Sequence, residues 1–179
     1  MHAAFDKGAA PAWLAPLGAL KGYKDPPSAH RFRVPLEGHG ILLTGAPDAV
    51  YERMDGTLVI ADYKTSRYTD GQEKLLPVYR VQLNAYAFIA RKLGWNPVSA
   101  LALIYTEPVT HDGAAAAGAS EDGFSMGFSA KIVPVEHDEG MLEPLFTRAI
   151  QIYSSEKPPR PQNNCADCAR LDAIRGLLR

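Results

Sequence analysis

Residues 57–64 read Thr57-Leu58-Val59-Ile60-Ala61-Asp62-Tyr63-Lys64, and this stretch decides the fold. Its β-branched, alternating character predicts a strand, entered through Asp55-Gly56, a pair that favours a hairpin turn. Upstream, Arg31 to Glu37 (RFRVPLE) and Ile41 to Arg53 (ILLTGAPDAVYER) are strand-like runs separated by Gly38-His39-Gly40, so three antiparallel strands are expected. Downstream the period changes. Val81, Leu83, Ala85, Tyr86, Phe88, Ile89, Ala90 and Leu93 mark a largely buried helix that starts at Leu76 and stops at Gly94, with Pro97 just beyond. Val98 to Thr106 (VSALALIYT) is near-continuously apolar, as a strand covered on both faces should be.

The remaining segments are read more coarsely. Residues 1–30 form a proline- and glycine-bearing arm in which Trp13, Leu14, Leu17 and Leu20 support only a brief helix. His111 to Gly123, with four consecutive alanines and three glycines, is expected as a hairpin loop leading to a strand over Phe124 to Glu136. Asp138 is placed to cap a helix whose apolar positions run from Met141 to Tyr153. Lys157 to Pro161 (KPPRP) reads as a stiff linker to Cys165-x-x-Cys168 and a last helix, Ala169 to Leu178. The expected organisation is an arm at 1–30, a core at 31–156 and a C-terminal segment at 157–179, giving an α/β fold around one mixed sheet.

Composition narrows the function classes. The 179 residues are 46% hydrophobic and 22% charged, enough to bury a core and too apolar for a disordered chain. The formal charge of −1 excludes a general polycation, so any nucleic-acid role needs a local basic surface. One exists: between Asp62 and Lys92 six basic residues stand against three acidic ones. Arg67, Lys74 and Arg80 in that stretch could follow a phosphate backbone, with Tyr68 and Tyr79 as candidates for stacking on bases. No apolar run reaches the length of a membrane span and the first residues lack a signal-peptide pattern, so a cytoplasmic location is expected.

The chemistry concentrates on two carboxylates and a lysine. Alternation puts Asp62 and Lys64 on one face of their strand with Ile60, and Val59, Ala61 and Tyr63 on the other. If the strands pair through Asp55-Gly56 as a two-residue turn, Asp48 falls opposite Tyr63, beside Asp62. Two carboxylates and the Tyr63 carbonyl make an all-oxygen set suited to Mg²⁺ or Mn²⁺. Such an ion activates water and stabilises a phosphoryl transition state, and Lys64 would hold or help deprotonate the attacking water. The alternative is a salt bridge among strand-end charges. Gln82 and Tyr86, at i and i+4 on the apolar helix, share a face and address one ligand together, or satisfy nearby backbone.

Gly45-x-x-Asp48, Asp62-Tyr63-Lys64-Thr65 and Gln82-x-x-x-Tyr86, in that order, resemble the RecB-like branch of the PD-(D/E)xK nuclease superfamily over about Arg31 to Glu107. The resemblance implies a restriction-endonuclease-like core, a mixed β-sheet flanked by α-helices. It implies Mg²⁺- or Mn²⁺-dependent cleavage of DNA, exonucleolytic or directed to ends and single strands, in processing, recombination or repair. Asp48 and Asp62 would be metal ligands, Lys64 the catalytic lysine, and Gln82 and Tyr86 orienting residues. Beyond DNA, the implied partner is a helicase or another recombination or CRISPR protein, and an oligomer is compatible with the pattern.

The chain departs from that pattern twice. The branch carries a His or Glu on an N-terminal helix as a further metal ligand; here His30, Glu37 and His39 are candidates by proximity alone. Relatives with an iron–sulfur cluster use four cysteines, whereas this chain has two, Cys165 and Cys168. Two thiolates do not hold such a cluster within one chain. The pair is either vestigial or half of a zinc or iron–sulfur site shared between chains. A nuclease-fold module with weakened catalysis that binds DNA or a protein is therefore the second reading. Gly123-Phe124-Ser125-Met126-Gly127 matches a nucleophile elbow by letter only, because a strand and not a helix is expected after it.

Overall fold

The computed structural model describes residues 5, 10–38, 40–69, 74–161 and 163–177. In chain order the strands and helices are β1 (Leu20–Lys24), β2 (Arg33–Leu36), β3 (Ile41–Thr44), β4 (Ala49–Arg53), β5 (Leu58–Lys64), α1 (Leu76–Lys92) and β6 (Val98–Pro108). There follow α2 (Asp112–Gly118), β7 (Ala119–Ser120), β8 (Gly123–Phe124), β9 (Phe128–Val135), α3 (Leu142–Tyr153) and α4 (Ala166–Leu177). Contacts divide the chain into two compact units, residues 1–142 and 143–179.

The first unit is built on a five-stranded mixed sheet in the order β1-β4-β5-β6-β9. β5 and β6 are its parallel pair, and the other neighbours run antiparallel. Parallel neighbours need a long crossover, which α1 supplies. β5 is buried from Leu58 through Asp62, so its two faces feed two cores. On one face Ile60 packs with Leu83, Tyr86 and Ile89 of α1, Leu101 and Leu103 of β6, and Phe32 and Val34. On the other, Val59 and Ala61 pack with Ala102, Ile104, Tyr51 and the Leu14 and Leu17 side chains of a 3-10 helix at Ala12–Leu17. The alternation read from Thr57 to Lys64 and the mixed α/β architecture are both present.

Several local expectations are corrected, each for a physical reason. The run from Ile41 to Arg53 is two strands, because Gly45-Ala46-Pro47-Asp48 interrupts it. Pro47 lacks an N–H for a ladder and restricts Ala46. β2 and β3 therefore pair as a hairpin of their own, apart from β4 and β5. The β4–β5 register is also one residue off the expectation, with Ala49 opposite Ala61 and Tyr51 opposite Val59. Arg53 O accepts the Gly56 N–H at 2.9 Å, Arg53 N–H donates to Thr57 O at 2.9 Å, and Gly56 sits at φ +82°. That is a three-residue loop closed by a left-handed residue, not a two-residue turn. The register continues Asp48 toward Asp62 itself.

The arm contains a strand that its composition conceals. β1 pairs with β4 at the sheet edge, and a register shift between Leu20 and Gly22 breaks the alternation that marks a strand. The alanine run expected as a loop is helical over Asp112–Gly118, as the best helix-forming residue allows. The strand after it begins at Phe128, with Gly123–Phe124 a separate short strand. Ser125 donates its N–H to Gly118 O at 2.7 Å and is followed by β9, so no nucleophile elbow forms. Asp138 caps not the α-helix itself but the 3-10 turn Glu139–Met141 just before it, Oδ1 accepting the Gly140 N–H at 3.1 Å. In the second unit, α4 starts at Ala166, three residues earlier than expected, and takes in Cys168. No helix among the described residues is long and apolar enough to cross a membrane.

Candidate functional site

Asp62 lies at the C-terminal end of β5 and is only 4% exposed. Alternation turns it, with Ile60 and Lys64, toward α1, where helical spacing aligns Gln82 and Tyr86 above it. The Lys64 ammonium forms an ion pair with Asp62 Oδ2. Gln82 Nε2 donates to Asp62 Oδ1 at 3.0 Å and to the Tyr86 hydroxyl at 2.9 Å. Lys64 Nζ also rests 4.1 Å from the centre of the Tyr79 ring, which confines the ammonium from the other side.

Asp48 arrives from the segment before β4. Its Oδ2 accepts the Tyr63 main-chain N–H at 2.8 Å, fixing the carboxylate beside the β5 strand end. Burial pushes the Asp62 carboxyl above the usual range; Lys64 pulls it down and the charge of Asp48 pushes it back up. The two carboxylates thus feel one another, and burial, more than the charge of Asp48, is what outweighs Lys64. Behind them the Tyr51 and Tyr63 hydroxyls bond at 2.7 Å, and burial raises both phenols. A cleft of about 230 Å³ opens beside Asp48, lined by Tyr23, Lys24, Pro26, Tyr51 and Tyr63.

Two motifs far apart in sequence meet through one close approach. A Cβ on Gly45 would stand 2.5 Å from Tyr86 Cε1 and 2.7 Å from Cδ1. Gly45 is therefore required by the packing of Tyr86, whose hydroxyl Gln82 holds. Its φ lies outside the left-handed region.

The groups here that could hold a cation are all oxygen donors: the Asp48 and Asp62 carboxylates and, at the strand end, the Tyr63 carbonyl. Carboxylate and carbonyl oxygens are the hard donors that suit Mg²⁺ or Mn²⁺. Among the described residues no group of three or more His, Cys, Asp or Glu side chains is placed to hold a metal ion, so His30 and Glu37 do not complete a third ligand. His39 lies outside the described residues.

The expected DNA-contacting residues fall in different surroundings. Arg67 pairs with Glu107 at 3.5 Å, and Lys74 is exposed just before α1. Arg80 is engaged by Glu136 at 2.8 Å and Asp138 at 3.2 Å. Asn84, fully buried, ties the same corner together, donating to Arg80 O and Glu136 O and accepting the Asp138 N–H. The Tyr68 and Tyr79 rings carry Lys131 and Lys64 respectively, so those faces are not presented for stacking. Sequence reasoning missed Lys131. The signal was present, since alternation in Phe128–Val135 sets this lone charge in line with Val133 and Val135. In the second unit the Cys168 N–H points at Cys165 Sγ, 3.4 Å away, and both thiols are free.

A family model of the PD-(D/E)XK nuclease superfamily matches residues 6–173. A solved structure described as "Crystal structure of SSO0001" is similar at 16% identity and a TM-score of 0.39, over 69% of this chain and 48% of that one. This chain thus spans about half the length of that structure. A search of curated proteins finds no match.

Proposed function

The chain belongs to the PD-(D/E)XK nuclease superfamily, and from that premise we propose that it is a Mg²⁺- or Mn²⁺-dependent deoxyribonuclease of the RecB-like branch. The observation that carries the reading is the buried Asp62, held by Lys64 on one oxygen and Gln82 on the other, with Asp48 fixed at the same strand end. A chain with no chemistry to perform gains little from burying that charge, because burial of an ion pair offsets poorly against its desolvation.

In this reading Asp48, Asp62 and the Tyr63 carbonyl hold the divalent ion, which supplies electrophilic stabilisation of the phosphoryl group when bound. Lys64 Nζ orients the attacking water and offsets charge on the phosphate oxygens. Gln82 keeps Asp62 in one rotamer, and Tyr86 buttresses Gln82. Water oxygen forms the new bond to phosphorus and gives up a proton to solvent, the P–O bond to the leaving sugar oxygen breaks, and that oxygen takes a proton from solvent. Arg67 and Lys74 are proposed to meet the backbone of the DNA; Arg80, engaged by two acids, serves that contact less directly. The Gln82-x-x-x-Tyr86 contact supports the RecB-like assignment, and with it action on ends or single strands in recombination, repair or a CRISPR pathway, beside a helicase or similar partner, in the cytoplasm. Cys165 and Cys168 are either vestigial or half of a site shared between chains.

One observation favours a second reading, a binding module with weakened catalysis: no third metal-ligating side chain joins Asp48 and Asp62 among the described residues. Incubation with linear and circular, single- and double-stranded DNA in Mg²⁺, Mn²⁺ or EDTA separates the two. A nuclease cleaves only with metal, and Asp62→Ala and Lys64→Ala each lose about 10²-fold or more. Cleavage that persists in both variants overturns the site. DNA binding without cleavage in any metal establishes the module.

A further inference from the structure

The register across β5, β6 and β9 sets Lys64, Tyr105 and Lys131 in one row, with Lys64 opposite Tyr105 and Tyr105 opposite Lys131. All three lie on the face that carries Asp62. Lys131 is exposed and makes no ion pair among the described residues. Glu107, two residues along β6 from Tyr105, pairs instead with Arg67 at 3.5 Å. The Lys131 ammonium sits 3.9 Å from the centre of the Tyr68 ring, and the Tyr68 and Tyr105 rings meet edge to face at 5.1 Å. Tyr105 is 2% exposed, and its buried hydroxyl has no hydrogen-bond partner among the described residues. A charge held in place without a counter-charge and a buried donor without an acceptor thus share one spot.

We propose that Lys131, supported by Tyr68 and Tyr105, is a phosphate subsite for the nucleic-acid strand next to the reacting phosphate. The idea rests on reading Asp48, Asp62 and Lys64 as a nuclease site. Two strand spacings separate Lys64 from Lys131, about 10 Å. That is roughly three steps of stacked DNA at 3.4 Å each, fewer for an extended strand. A phosphodiester at Lys131 would gain an unpaired ammonium already confined by an aromatic face, and the Tyr105 hydroxyl supplies a neutral donor once Tyr68 yields. The strand would then cross the sheet end along the row, with Lys131 setting its direction relative to Lys64.

The test is fluorescence anisotropy of a short oligothymidylate, in EDTA so that nothing is cleaved, across a salt series for wild type, Lys131→Ala, Lys131→Arg and Tyr105→Phe. Lys131→Ala should bind about 10-fold more weakly and lower the salt slope by about 0.7, the value for one single-strand phosphate contact. Lys131→Arg should keep the slope. Tyr105→Phe should weaken binding without changing the slope, since a hydroxyl displaces no counterion, and should not lower the unfolding midpoint. A slope unchanged in Lys131→Ala overturns the subsite. Slope loss in Lys131→Ala together with absent metal-dependent cleavage keeps the subsite and discards the nuclease reading. Cleavage by a protein indifferent to Lys131 does the reverse, and a wild type that binds no oligothymidylate removes the subsite outright.

Discussion

The Asp48 carboxylate accepts the main-chain N–H of Tyr63 at 2.8 Å, which anchors the first acid of the site to the backbone between Asp62 and Lys64. Asp48 also raises the Asp62 carboxyl, after the larger effect of burial. Asp48→Asn keeps an oxygen that accepts from Tyr63 and removes the charge. The Asp62 carboxyl of the metal-free variant should therefore titrate lower than in wild type, read by carboxyl-carbon NMR. The stability consequence follows in sign. An acid whose folded pKa is raised holds its proton longer in the folded state, so stability falls as pH rises from the ordinary Asp value through the folded one. Asp48→Asn should narrow that fall in the unfolding midpoint. Asp48→Ala should cost about 1 kcal/mol more than Asp48→Asn, because the Tyr63 N–H loses its acceptor.

Gln82 spans Asp62 and Tyr86 with one amide nitrogen. Gln82→Ala leaves both carboxylates and Lys64 in place, so substrate binding should change little. Turnover should fall about 10- to 100-fold, the usual cost of losing a group that orients a metal ligand. Steady-state kinetics check the split: an effect confined to KM would count against an orienting role.

Gly45 admits the Tyr86 ring, and a methyl group there would collide with it. Gly45→Ala should destabilise the fold by about 1–3 kcal/mol, the cost of overpacking a core. The same substitution in a Tyr86→Ala background should cost much less, since contacting residues are not additive. Urea unfolding of the four variants measures the coupling; equal costs in both backgrounds would disprove the contact.

Cys165 precedes α4, and the Cys168 N–H together with the Cys168 thiol lowers its pKa, while the neighbouring sulfur raises that of Cys168. Near neutral pH Cys165 should be the first to alkylate with iodoacetamide, because the thiolate is the nucleophile. Peptide mapping at short times reads the order. In Cys165→Ser, Cys168 should react faster than in wild type, since the group that raises it is gone.

Much of this molecule is visible in local chemistry. The β-branched alternation of Thr57 to Lys64, the apolar run of Val98 to Thr106 and the stop at Gly94 each reflect a preference a short segment expresses alone, and the structure keeps all three. The order of Gly45, Asp48, Asp62, Lys64, Gln82 and Tyr86 belongs to the same category, because each residue carries its functional group wherever the chain leads it. β1 was hidden for the converse reason: the register shift at Gly22 removes the period that reveals a strand.

What the sequence by itself determined is therefore the central elements, β5, α1 and β6, and which side chains carry charge at their ends. Only the tertiary structure decided which of those side chains meet. The third residue in the loop before β5 aligns Asp48 with Asp62 instead of Tyr63, and one residue of register exchanges the faces of a strand. The missing Cβ of Gly45 is a packing requirement of Tyr86, and the row from Lys64 through Tyr105 to Lys131 exists only once β6 lies between β5 and β9. Such juxtapositions depend on loop length, register and close packing across distant segments, and no local preference encodes them.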